Sequence, residues 1–229
     1  MSKEVTAVQD TLPAFVTKGS ARGAEHVTQS DLIIPRLELV QSLSPCRNKK
    51  DASYIEGAEE GMLYNNVTRE LYGPFVKLVP VSYRKECLLW KDRQKGGGFR
   101  GSFPTMEAAL AAKREMDDGA DCEIQDTAQH FCLLIGFDKV EEIVVSMAKT
   151  KLKTSRKWNS LIRINEVDSF ARSYFLTAIE QTNSMNQNYW SYDVSNDGYV
   201  TEDVFKRAEH LWSQINEGAV RVNSDHEEY

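Results

Sequence analysis

Between Met147 and Arg163 the chain reads MAKTKLKTSRKWNSLIR, with six basic residues (Lys149, Lys151, Lys153, Arg156, Lys157 and Arg163) and no carboxylate. Cations left without neighbouring Asp or Glu, with Ser and Thr between them, suit a polyanion such as a phosphate backbone. On a helix advancing about 100° per residue, Lys149, Lys153, Arg156, Lys157 and Arg163 fall within an arc of roughly 120°. Ala148, Leu152, Trp158, Leu161 and Ile162 take most of the opposite side, and only Lys151 departs from the division. The pattern predicts a helix docked by its apolar face and showing a cationic stripe outward. A merely solvated helix usually mixes both signs of charge.

Holding a single strand also requires flat side chains on which bases can stack. Aromatic and basic residues adjoin in Tyr83-Arg84-Lys85, in Trp90-Lys91 followed by Arg93, and in Phe99-Arg100. A further cluster, Tyr189-Trp190-Ser191-Tyr192, alternates as a strand does, so one of its faces belongs to the core, and the sequence leaves open which. The candidate contacts to single-stranded DNA are therefore Lys149, Lys153, Arg156, Lys157, Arg163, Arg84, Arg93 and Arg100 for phosphates. Tyr83, Trp90 and Trp190 are the candidates for bases. Trp158 sits on the apolar arc and is expected in the core.

Catalytic patterns are sparse. The four histidines, His26, His130, His210 and His226, stand in unrelated contexts, and neither G-x-S-x-G nor H-E-x-x-H occurs. Three consecutive glycines at 96–98 lack the following G-K-[ST] of a phosphate loop. Asp193–Thr201 imitates the start of a calcium loop, but its twelfth position is Val204, where a bidentate Glu is required. It reads as a polar turn. Cys46, Cys87, Cys122 and Cys132 are scattered and read as free thiols. The expectation is a non-enzymatic protein with no metal and no cofactor.

The elements that must position these residues follow from periodicity. Residues 1–30 read as a flexible arm, 31–218 as one folded domain and 219–229 as an acidic tail. Short strands are expected around Met62–Asn66, and Phe75–Trp90 as one long strand or two, with Pro80 at an edge or bulge. Thr105–Asp117 reads as a short helix capped by Thr105. Strands are expected at Gln129–Phe137, Glu142–Met147, Ser173–Thr182 and Tyr189–Val194, with the basic helix between the second and third of these. Val204, Phe205, Ala208, Leu211, Trp212 and Ile215 make Thr201–Asn216 an amphipathic helix with Trp212 in the core, ended at Gly218. This order of elements is mostly β with helices (α+β). It fits an OB-like antiparallel five-stranded barrel with an inserted basic helix and a C-terminal amphipathic helix.

Composition sets the class. The 229 residues are 41% hydrophobic and 27% charged, globular values, and no apolar run approaches a membrane span. The N-terminus lacks the layout of a signal peptide, so a cytoplasmic protein is expected. The formal net charge is −6, yet residues 76–163 carry 16 Lys/Arg against 12 Asp/Glu, while residues 180–229 carry 3 against 10. A basic middle with an acidic end is the electrostatic layout.

Ile34–Pro45 (IPRLELVQSLSP), the Gly61, Asn65 and Gly73 segment, and Lys151–Asn159 (KLKTSRKWN) resemble small proteins of tailed bacteriophages. More distantly they resemble phage single-stranded DNA-binding proteins with an OB-fold. The similarity spans residues 31–218. It implies a protein of phage DNA replication or recombination, acting in the host cytoplasm and coating single-stranded DNA without sequence preference. It also implies a partner-binding tail, here Asp225, Glu227, Glu228 and Tyr229, that engages replication proteins. An interaction protein that inhibits a host enzyme, an RNA-binding regulator and a homo-oligomer remain open alternatives.

Overall fold

A computed structural model describes residues 34–217, apart from the Arg93 side chain; the expected arm and tail lie outside the described residues. The strands are β1 (Leu37–Leu39), β2 (Leu63–Asn65), β3 (Leu71–Gly73), β4 (Phe75–Lys91), β5 (Phe99–Phe103), β6 (Cys122–Ile135), β7 (Val140–Ala148), β8 (Arg172–Thr182) and β9 (Asn188–Tyr199). The helices are α1 (Met106–Glu115), α2 (Leu152–Ile164) and α3 (Glu202–Asn216).

Strand β4 is the spine. Its Val, Leu and Tyr residues favour a pleated, half-buried surface. Along one edge it pairs antiparallel with β6, from Leu78 opposite Leu134 to Lys91 opposite Cys122. Pro80 cannot donate to a ladder, and the register slips between Pro80 and Ser82, which lets a proline sit in a central strand. The other edge of β4 is divided. Strand β8 pairs with Phe75–Leu78, and β5 pairs with Cys87–Trp90. Between them a single 3-10 turn, Ser169–Ala171, approaches the strand, where the Ser169 hydroxyl donates to the Val81 carbonyl at 3.3 Å.

The main sheet runs β7-β6-β4-β8-β9 with β5 beside β4, and β1-β2-β3 forms a separate small sheet. The fold is therefore α+β with antiparallel sheets and three helices. The expected barrel does not close: β7 and β9 end the sheet and are not laddered to each other. The edge of β7 instead meets the chain just before β1, where the Val144 amide donates to the Pro35 carbonyl at 2.8 Å and Arg36 forms an isolated bridge.

Each face of the sheet carries a core. On one, Leu78, Cys132, Val145, Leu176 and Tyr192 pack with Leu37 and Leu63 of the small sheet and with Trp158 of α2. On the other, Val79, Val81, Phe131 and Leu133 pack with Ala208, Leu211 and Ile215 of α3. Each Val, Leu, Ile or Phe among them contributes about 1.5–3 kcal/mol by leaving water. Trp212 is not among them; it is 44% exposed, because the buried stripe of α3 is narrower than its apolar pattern. Thr105 caps α1 as expected, accepting from the Ala108 amide. Thr201 precedes α3 without a side-chain cap, and Gly218 lies outside the described residues.

Candidate nucleic-acid interface

Helix α2 is fixed by its buried residues. Trp158 is fully buried, stacks on His130 of β6 and meets Tyr174 of β8 edge-on. Ser155 places its hydroxyl 2.8 Å from His130 Nε2, and Thr154 donates to the Tyr192 carbonyl at 2.8 Å. With that face committed, Lys149, Lys153, Arg156, Lys157 and Arg163 are all exposed, as the one-sided charge pattern requires. Lys149, Lys153, Arg156 and Arg163 have no ion-pair partner among the described residues, and Lys157 meets Asp193 of β9 at 2.6 Å. That pair is half-exposed on both sides and contributes about 0–1 kcal/mol, little enough for another anion to displace it.

Lys151 leaves the stripe and turns inward, its Nζ 4.5 Å from the centroid of the Tyr192 ring. Burial lowers its pKa and raises that of Glu38, and each charge partly offsets the effect on the other.

At the start of α2 one exposed lysine of the stripe, Lys149, borders an aromatic cleft. Lys149 adopts a positive φ of 51°, uncommon for a residue with a side chain, at the junction of β7 and the 3-10 turn Lys149–Lys151. A cavity of about 350 Å³ lies beside it, lined by Trp90, Tyr189, Trp190 and Gln125 among others. A second, of about 700 Å³, shares Trp90, Gln125 and Lys149 with the first and adds Lys91, Lys95 and Glu123. Trp190 is held in place from two sides. The Gln41 side chain donates to its carbonyl at 2.8 Å and accepts from its amide at 3.0 Å. Gly61, at φ +81°, lies so close to the ring that a Cβ there would stand 2.6 Å from Cζ3.

The other candidates are dispersed. Tyr83 is 44% exposed beside α2, its ring 5.0 Å from His130. Arg84 points to the opposite face, stacking 5.4 Å over Phe131 and donating to the Ile215 carbonyl of α3 at 3.1 Å. Arg100 and Lys91 share Asp118, at 3.1 and 2.9 Å, and their hydrogen bonds hold that carboxyl below the usual range. The Arg93 side chain, and Asp225, Glu227, Glu228 and Tyr229, lie outside the described residues. Gln41, Gly61, Glu123 and Gln125 carry no sequence signal that marks them as site residues. Gln41 reaches Trp190 across 149 positions, which no local pattern records.

The calcium-like segment is strand rather than loop. Asp193–Tyr199 belongs to β9, Asp193 pairs with Lys157, and Asp197 pairs with Lys77 at 2.6 Å and accepts from Ser173. No group of three or more His, Cys, Asp or Glu residues suited to a metal ion occurs among the described residues. The four cysteines are free and buried.

The family model for Pam3 phage gp34-like proteins matches residues 3–221. The chain belongs to that family. This Pam3 phage gp34-like protein is thus of bacteriophage type, in keeping with the resemblance carried by its Ile34–Pro45 and Lys151–Asn159 segments. Neither a curated protein nor a solved structure matches it. No described helix is long and apolar enough to cross a membrane.

Proposed function

We propose that this phage protein binds single-stranded DNA during replication or recombination, through the exposed face of α2 and the cleft at its start. The observation that carries this reading is the continuity of the two at Lys149. The lysine follows β7, precedes α2 and borders both cavities walled by Trp90. A strand laid along α2 would place its phosphates on Lys153, Arg156 and Arg163 and bring its bases to the aromatic walls. Cationic tracks combined with stacking platforms are what single-strand binding requires. The protein acts by holding its ligand, with Lys157 exchanging Asp193 for a phosphate.

Affinity for a labelled oligonucleotide at two salt concentrations tests the proposal. Four unpaired cations give a slope near −3 in log–log form, a loss of about fiftyfold between about 50 and 200 mM salt. Binding that ignores salt, or prefers a duplex, overturns it.

A further inference from the structure

The β4–β6 ladder places more than an aromatic wall in the cleft. Trp90 is directly opposite Glu123, and Leu88 directly opposite Gln125, so all four side chains leave the same face of the two strands. Opposed residues of an antiparallel pair have Cβ atoms roughly 4.5–5.5 Å apart. Trp90 also packs against Phe99, ring centroids 5.3 Å apart, and a flat ring set on its remaining surface would lie within reach of the Glu123 carboxylate and the Gln125 amide. Glu123 is exposed and has no ion-pair partner among the described residues, unlike Asp118 and Asp121, which are held by Lys91 and Lys95. The Gln125 side chain likewise has no hydrogen-bond partner among the described residues. Lys149 borders the same two cavities and supplies a cation for the attached phosphate.

We propose that Trp90, Glu123 and Gln125 form a base-reading subsite that favours nucleobases bearing an exocyclic amine over those presenting a carbonyl at that position. This inference rests on the single-stranded DNA reading and deepens it. An ionised carboxylate only accepts hydrogen bonds. It accepts from the N4 amine of cytosine and repels the O4 carbonyl of uracil, which is otherwise nearly the same size and shape. Gln125 can turn its amide to donate or accept, so it holds either ring, and the discrimination comes from Glu123. The protein then departs from base-indifferent coating at one position in each bound strand.

The test compares deoxycytidine and deoxyuridine homopolymers of about fifteen nucleotides, at one salt concentration, by anisotropy with the full chain. The wild type is expected to bind the cytosine strand at least about fivefold more tightly, and Glu123→Gln to bring the ratio close to one. Removing a negative charge raises affinity for both strands, which is why the ratio is read rather than either affinity. Equal binding of both strands by the wild type, or a ratio unchanged in Glu123→Gln, overturns this inference and leaves the single-stranded DNA reading standing. Failure to bind either strand overturns both.

Discussion

The Trp158 indole lies nearly flat on the His130 imidazole, with ring centroids 4.6 Å apart and planes 16° from parallel. This stack, with the His130–Ser155 contact, joins α2 to the sheet and so sets the direction in which the basic stripe faces. Burial lowers the pKa of His130 to about 3.

A pH dependence follows. The folded pKa lies below the unfolded value of about 6.5, so between those limits the unfolded chain binds the extra proton. Stability from this group is fully present above about pH 6.5. It declines as pH falls, by about 1.4 kcal/mol per pH unit, until the folded protein also titrates near pH 3. His130→Phe keeps a ring on Trp158 and loses the Ser155 contact, costing about 1 kcal/mol at neutral pH. Denaturant unfolding at a series of pH values should show the wild type's advantage vanishing at about pH 6 and reversing below it, with His130→Phe the more stable protein at pH 4. A constant difference would show that His130 is not held neutral.

Reversing charge on the outer face of α2 should weaken the proposed DNA binding without touching the fold. Lys153 and Arg156 are exposed and make no ion pair among the described residues. Lys153→Glu with Arg156→Glu should weaken single-stranded DNA binding at least about tenfold and flatten its salt dependence, since fewer counterions are released. Circular dichroism would establish that the double variant is folded, and an unaltered affinity in that folded protein counts against the interface.

Arg84 separates stability from binding. Its guanidinium serves Phe131 and the Ile215 carbonyl, on the side away from α2. Arg84→Ala should cost about 1–2 kcal/mol in denaturant unfolding and leave oligonucleotide affinity unchanged. A large loss of affinity at constant stability would place a DNA contact on the α3 face.

Calcium should leave the melting temperature where it is. The carboxylates of Asp193 and Asp197 already meet Lys157 and Lys77, and Val204 offers no side-chain oxygen. A ligand that binds only the folded state must raise its melting point, so thermal unfolding with and without millimolar calcium decides the matter.

Gly61→Ala should destabilise the cleft. The position combines a left-handed φ with the Trp190 ring in the space a methyl would take. The strain should cost about 1–3 kcal/mol, read by thermal unfolding, with a change in tryptophan emission as the ring moves. An alanine variant as stable as the wild type would mean that the ring is free to give way.

The parts of this fold legible in sequence are those whose cause is local. The one-sided charge of α2 required its apolar side to be buried, and Trp158 is fully buried there. The Pro80 bulge and the Thr105 cap follow from the chemistry of single residues. What was not legible depends on distant partners. The first half of β6, Cys122–Ala128, is too polar to alternate clearly and becomes strand because β4 offers it a continuous edge. Strand β5 carries Gly101 in its centre, and β9 runs past Val194 to Tyr199 through residues that resemble a turn. Barrel closure failed as an expectation because two edges must meet in space, and the chain before β1 occupies the edge of β7. Within the site, alternation placed Tyr192 and Trp190 on the same side but left open which face was core; Tyr192 is buried, while Trp190 is only half-buried and walls the cleft.

Gln41 and Gly61 fix the Trp190 ring before any ligand arrives, one through the backbone and the other by denying it room to turn. A wall set in this way is preorganised, so little side-chain entropy remains to be lost when a base settles against it. Under the proposed function, association with such a surface would be governed by how quickly the lysines of α2 capture a strand from solution. Residence time then depends on the stacked bases. Substitutions on the helix should act mainly on the rate of arrival, and substitutions at Gln41 or Gly61, neither of which needs to touch the DNA, on the rate of departure.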